Sequence, residues 1–246
     1  MTTWAGSGLR GEGLTVKRGG LTICRDVSLD VPEGEITVLL GANGAGKSTL
    51  LDGIAGVIPV ASGSISLGER GQNRRIDVLP MHRRAAQGLA YVEQGRSVFG
   101  RLTVAQNLAV PRRSKGADEL QQVLEQAFEL FPRLESRRDV RAGLLSGGEQ
   151  QMLLIARALA TRPRILIIDE LSLGLAPSVV RTLVSTLAEL ARQGTGILLV
   201  EQFAETALAA GTTAHIMQRG RIARTERCDV LLQDRASILS PYFLGE

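Results

Sequence analysis

The run EITVLL flowing directly into GANGAGKST (residues 35–49) limits the possible folds of this 246-residue chain more than any other stretch. A continuous aliphatic, β-branched run reads as a strand buried on both faces. The glycine-rich loop after it fits G-x-x-x-x-G-K-[ST], with Gly41, Gly46, Lys47 and Ser48 at the fixed points. Phosphate oxygens need several backbone N–H groups converging on them, and glycine lets the main chain wrap that closely. The helix expected from STLLDGIAGV turns its unpaired N-terminal N–H groups and its positive dipole end toward the anion. Asn43, Gly44, Ala45 and Thr49 complete the cradle. Lys47 brings a point charge to the phosphates, and Ser48 an oxygen for Mg²⁺.

The rest of the chain fits an α/β fold around that strand. RILIID (164–169) and GILLV (196–200) are further buried parallel strands, separated by helical segments. LTVKRGGLTICRDVSLDVPEGE alternates around glycine turns and reads as an antiparallel edge or a small β layer. From about 95 to 160 the pattern turns helical. Leu120, Val123, Leu124, Ala127, Phe128 and Phe131 form one apolar stripe, which Pro132 stops. A hydrophobic fraction of 44% suffices for one sizeable core with a smaller appended lobe.

Several function classes are set aside by composition. No run approaches the 18 or so apolar residues that a bilayer span needs. The start MTTWAGSGLRGEG lacks the basic and apolar regions of a secretory signal. Cys24 and Cys228 match no metal spacing and read as reduced thiols. Lysine occurs at positions 17, 47 and 115, and arginine supplies the rest of the 29 basic side chains. With aromatics at 3% and the pairs Arg74–Arg75, Arg83–Arg84, Arg112–Arg113 and Arg137–Arg138 spread out, nucleic acid is not an expected partner. Those pairs read as solvated faces or protein contacts.

Two further stretches carry chemistry. RILIIDE ends in Asp169, placed for Mg²⁺, and Glu170, which can polarise an attacking water. In LLSGGEQQMLLIARAL (144–159), Ser146 and Glu149 form an S-x-x-E capping box ahead of an apolar helix.

LSGGE, standing between the phosphate loop and Asp169–Glu170, resembles the signature of ATP-binding-cassette (ABC) transporter ATPases, and the resemblance covers nearly the whole chain. It implies a P-loop NTPase fold with a mostly parallel core sheet, an N-terminal antiparallel β layer and an inserted helical subdomain. It implies one domain over 1–246, with a RecA-like core at 1–94 and 160–246 and the helical subdomain at about 95–159. The ligands implied are ATP and Mg²⁺. In the family the signature helix tip, here Leu145, Ser146, Gly147, Gly148 and Glu149, caps the γ-phosphate of ATP held by a partner subunit. YVEQGRSVF (91–99) is similar to the Q-loop, so that Gln94 contacts Mg²⁺ and water and links to the helical block. SLGLAP (172–177) takes the place of the loop that crosses the dimer interface.

Three positions depart from the family pattern. Gln202, in LVEQF, stands where most members carry a histidine on the γ-phosphate; a glutamine amide can donate to a phosphate oxygen. Arg18 stands where an aromatic ring stacks on adenine, and a guanidinium plane can also stack. Leu171 replaces a proline after the catalytic Glu170 and is expected to loosen that turn. His215, in TTAHIMQRG, is assigned to a surface strand or its edge.

EQGRSVFGRLTVAQNL, LSGGEQQM, SLGLAP and SPYFLGE together resemble the second ATPase of branched-chain amino acid importers, or the related urea importer ATPase. The partners so implied are a second ABC ATPase, identical or different, two membrane permease subunits and, indirectly, an extracytoplasmic binding protein. The implied location is peripheral, on the cytoplasmic face of the plasma membrane. Soluble ABC ATPases of repair or translation carry a second cassette or a long coiled-coil insertion, and this sequence has neither.

Overall fold

The computed structural model describes residues 6–69, 72–95, 97–112, 117–172, 174–201 and 204–233. In chain order the elements are β1 (Gly8–Arg18), β2 (Leu21–Pro32), β3 (Ile36–Leu40), α1 (Lys47–Ala55), β4 (Val60–Glu69), β5 (Gln72–Arg75), α2 (Met81–Ala86), β6 (Leu89–Val92), α3 (Val104–Ala109), α4 (Ala117–Leu130), α5 (Pro132–Glu135), α6 (Gly147–Leu159), β7 (Ile165–Asp169), α7 (Pro177–Arg192), β8 (Gly196–Val200), α8 (Ala204–Ala210), β9 (Thr213–Gln218), β10 (Arg221–Arg227) and α9 (Cys228–Gln233).

The main sheet runs β10-β9-β3-β8-β7-β6. Its strands from β9 to β6 are parallel, and β10 pairs antiparallel at one edge. The three aliphatic runs of the sequence are its centre, β3, β8 and β7, and every residue in them is buried. Helices cover one face and the small sheet with α1 covers the other, which is why these strands carry no polar face. The small sheet, β2-β1-β4-β5, is antiparallel. Its β1–β2 hairpin turns at Gly19–Gly20, both at positive φ (56° and 83°), the backbone that a two-residue hairpin turn demands.

Two cores result. One packs Leu14, Val16, Leu50, Ile54, Ile65 and Leu198 between the small sheet, α1 and the main sheet. The other packs α6, α7 and α8 on the opposite face and continues without a break into the helical block. Of the predicted stripe, Val123, Leu124, Ala127 and Phe128 of α4 and the following Phe131 are buried there, with Leu120 half-buried, and Pro132 opens α5 at its first position. The block begins later than the sequence pattern suggests. Residues 97–103 are not helical, and the buried Asn107 of α3 ties them down. Its amide donates to the carbonyls of Phe99 (3.1 Å) and Thr103 (2.9 Å), and its oxygen accepts from the Phe99 N–H (3.0 Å).

Two sequence expectations change. His215 lies in β9, covered by β10, and is 5% exposed; it is interior, not at a surface or an edge. Its Nδ1 shares a hydrogen bond with Thr225 Oγ1 (2.8 Å), and burial pushes its pKa down to about 4. Arg84 is not on a solvated face: it is 2% exposed. Its guanidinium donates to the carbonyls of Gly53 (2.7 Å) and Ile54 (2.6 Å) in the last turn of α1, and to Asp77 (2.7 Å) and Leu79 (2.8 Å). The side chain of Leu171 is buried in the helix-side core.

Candidate functional site: a phosphate cradle and a separate helix tip

The phosphate loop leaves β3 at Gly41 and ends at Gly46, whose φ of 104° caps α1. A Cβ on Gly41 would lie 2.5 Å from the Met217 carbonyl oxygen, so close packing on β9 requires glycine there. The turn between β9 and β10, at Arg219 and Gly220, supports the loop from outside. The Gly220 N–H donates to the Ala45 carbonyl (2.9 Å), and its own carbonyl accepts from the Arg25 N–H of β2 (2.8 Å). A Cβ on Gly220 would meet the Ile23 carbonyl oxygen at 1.9 Å. This support joins residues far apart in the chain and has no local sequence signal.

An open cavity of about 470 Å³ lies over the loop. Asn43, Gly44, Gly46, Lys47, Ser48 and Thr49 form its floor; Gln94 and Glu170 face them. The expected residues of the loop, the Q-loop and the strand end after β7 thus meet in one place. Lys47 Nζ donates to the Gly41 (2.8 Å) and Ala42 (3.1 Å) carbonyls. Burial lowers its pKa, opposed by the charges of Glu170 and Asp169. Gln94 Nε2 donates to Glu170 Oε2.

Asp169 ends β7 and is 1% exposed. Burial raises its pKa, a hydrogen bond from Ser48 and the charge of Lys47 lower it, and Glu170 and Asp52 raise it. Its Oδ1 is buried with no hydrogen-bond partner. A buried carboxylate oxygen left over, beside a serine hydroxyl bonded to the same carboxylate, is a set of hard oxygen donors that fits Mg²⁺.

Glu170 itself has a φ of 52°, a left-handed backbone that costs a non-glycine residue about 1–3 kcal/mol and clusters at functional sites. Its N–H donates to the Val200 carbonyl at the end of β8 (3.1 Å).

One expected contact has a different partner in this structure. The Arg18 guanidinium forms an ion pair with Asp52 of α1, whose other oxygen accepts from the Tyr91 hydroxyl (3.2 Å). The side chain that lines the cavity from the small sheet is Ile23. Gln202 lies outside the described residues, as does SPYFLGE. The preceding Glu201 is described: it is buried and accepts a hydrogen bond from Ser172. Neither Ile23 nor Glu201 had a motif to announce it; a carboxylate directly after an all-apolar strand was the one available hint for Glu201.

The capping box at α6 forms as the sequence implies. The Glu149 N–H donates to Ser146 Oγ (3.3 Å), and the Ser146 N–H to Glu149 Oε2 (2.8 Å). Burial pushes the Glu149 carboxyl up, but the bonds from Ser146 and the charges of Arg137 and Arg133 outweigh it and hold the pKa below the usual value. Leu145 anchors the tip in the core, and Gly148 lets α6 approach α7, since a Cβ there would meet Val179 at 2.8 Å. Ser146 is exposed, with Gly147 and Gly148 beside it half-buried. None of residues 145–149 lines the phosphate cavity of its own chain.

A second cavity, of about 410 Å³, opens between α2, β6 and α6. Val57, Met81, Ala85, Glu93, Pro111 and Arg157 are among its walls, and Val57 and Met81 are exposed there. Arg157 of α6 stacks over the Phe99 ring (4.8 Å to the centroid) and donates to the Ser97 carbonyl (2.9 Å).

Known proteins resemble this chain over most of its length. The ABC transporter family model matches residues 24–172. A high-affinity branched-chain amino acid transport ATP-binding protein, BraG of Pseudomonas aeruginosa, is 43% identical over 214 residues, covering 87% of this chain and 90% of BraG. A probable branched-chain amino acid transport ATP-binding protein, LivF of Archaeoglobus fulgidus, is 36% identical, covering 87% of this chain and 89% of LivF. Among solved structures, a nucleotide-free ATP-binding cassette of an ABC transporter superposes with a TM-score of 0.84 at 23% identity, covering 97% of this chain and 99% of that one. With the loop, the strand-end carboxylates and the capped helix tip in place, this chain belongs to the ABC transporter family and has the fold of its nucleotide-binding cassettes.

Proposed function

We propose that the chain is the ATP-hydrolysing subunit that drives a membrane importer of branched-chain amino acids. The observation that carries this reading is the single cavity uniting Lys47, Ser48, Gln94 and Glu170, with Asp169 bonded to Ser48 beneath it. The loop N–H groups and the N-terminus of α1 bind the triphosphate, and Lys47 exchanges its carbonyl partners for phosphate oxygens. Ser48 and Asp169 would hold Mg²⁺, with Gln94 alongside, and the bound ion would supply charge neutralisation to the triphosphate. Glu170 orients and polarises the attacking water, and Gln94 fixes the Glu170 carboxylate through their hydrogen bond.

The helix tip at Ser146 lies away from its own cradle, so a second cassette completes each site and ATP holds the two together. That makes nucleotide occupancy a switch between open and closed pairs. The groove between α2, β6 and α6, with exposed Val57 and Met81 at its walls, is the docking place of the permease subunits, which puts the cassette on the cytoplasmic face of the membrane. The amino-acid cargo rests on the likeness to BraG and LivF.

The test is a pair of measurements. Glu170→Gln should bind ATP as the unaltered chain does and lose at least about 100-fold in turnover; unchanged turnover would refute the assignment. Cells lacking the chain should lose uptake of labelled leucine, isoleucine and valine. Loss of urea uptake in their place would keep the ATPase and reassign the cargo.

A further inference from the structure

We propose that Glu201 is a positioning residue for hydrolysis: through Ser172 it locks the backbone that carries Glu170. This inference rests on the ATPase function proposed above. Glu201 directly follows β8 and is 1% exposed, and Ser172 is 3% exposed. A carboxylate is costly to bury, and hydrogen bonding to it offsets part of that cost. Ser172 Oγ donates to Glu201 Oε2. Glu201 does not line the phosphate cavity, so its effect on the reacting atoms is indirect.

The geometry shows what the bond holds. Val200 and Glu201 are consecutive at the end of β8, and they grip residues 170 and 172 of the neighbouring strand end. Val200 takes the Glu170 N–H (3.1 Å), and Glu201 takes the Ser172 hydroxyl. Between them Leu171 is sunk in the core. Glu170, at a φ of 52°, occupies a backbone conformation that persists only where its surroundings over-determine it. The backbone bond, the buried leucine and the side-chain bond together do so. Ser172 also starts the next segment: its carbonyl accepts the Leu175 N–H (3.0 Å) on the way to α7. One buried hydroxyl therefore fixes both the carboxylate that polarises water and the loop expected to face the second cassette.

The experiment uses the chain assembled with its transporter partners and compares Ser172→Ala, Glu201→Ala, Glu201→Gln and the double alanine variant. Ser172→Ala and Glu201→Ala should each lower kcat by about 10-fold or more while the KM and Kd for ATP stay within about twofold. Glu201→Gln keeps an acceptor oxygen for Ser172 and should recover most of kcat. The double variant should be no slower than the slower single one, because both remove one interaction. Hydrogen exchange of the peptide containing Glu170 should quicken in Ser172→Ala. Unchanged kcat and exchange in Ser172→Ala, losses that multiply in the double variant, or a Kd that weakens in step with kcat would overturn the proposal. If Glu201→Ala fails to fold, Ser172→Ala decides, since it removes one hydroxyl. Should the unaltered assembly show no turnover, the ATPase reading fails, while the exchange measurement still reports on the lock.

Discussion

Arg84 braces, from its far end, the helix that follows the phosphate loop. Its guanidinium closes the C-terminal end of α1, the helix whose N-terminus carries Lys47 and Ser48. Carbonyls in the last turn of a helix have no helical N–H partner, and they form its negative dipole end. Arg84 satisfies those of Gly53 and Ile54 and also binds those of Asp77 and Leu79. Methionine would fill similar space but leave these acceptors unmatched. Each buried acceptor so stranded costs roughly 1–3 kcal/mol, and release from the penalty of burying a cation returns part of the sum. A net loss of about 3 kcal/mol is expected for Arg84→Met. In a chain of this length that lowers Tm by about 6–12 °C. Lysine keeps the charge but not the planar fork, so Arg84→Lys should fall between the two. Thermal and urea unfolding measure both, and the loss should change little between low and high salt because the site is buried. A methionine variant within about 2 °C of the unaltered protein, or a lysine variant equal to it, would refute the reasoning.

Three further outcomes are expected. Burial holds His215 at about 4, below its ordinary 6.5, so between those values the unfolded chain takes up a proton that the folded chain refuses. Stability should therefore fall as pH drops through that window, by up to about 3 kcal/mol, and the difference in urea midpoint between the unaltered protein and His215→Leu should reveal that slope. Gly220→Ala places a Cβ 1.9 Å from the Ile23 carbonyl oxygen at a φ of 78°, and should both destabilise the protein and weaken nucleotide binding through Ala45; unfolding and nucleotide titration check it. Asp169→Asn removes a buried charge whose pKa burial has already raised, so it should leave stability without nucleotide equal or higher while weakening the Mg²⁺ dependence of ATP binding, read by titrating Mg²⁺.

What the sequence made legible was governed by neighbours in the chain. β3, β7 and β8 are legible because strands buried on both faces must be aliphatic throughout, and the box at Ser146 because its two bonds span three residues. The stripe of α4 follows from helical spacing alone. What stayed hidden depends on distant partners. Arg84 reads as a surface charge until α1 supplies acceptors some 30 residues earlier in the chain. His215 reads as exposed until β10 covers it. The support from Gly220, the Ile23 wall and the bond between Ser172 and Glu201 each join segments that only the folded sheets bring together. Arg18 shows the same limit: its position in the hairpin is plain, but its engagement with Asp52 depends on where α1 passes.

The most direct test of the whole account is a structure of the Glu170→Gln cassette trapped with Mg²⁺ and ATP in its assembled transporter. Each triphosphate should be wrapped by the Lys47 loop of one cassette, with the Ser146 end of α6 from the other within hydrogen-bonding reach of its γ-phosphate. Nucleotide bound with that helix end turned to solvent, or toward its own chain's phosphates, would contradict it.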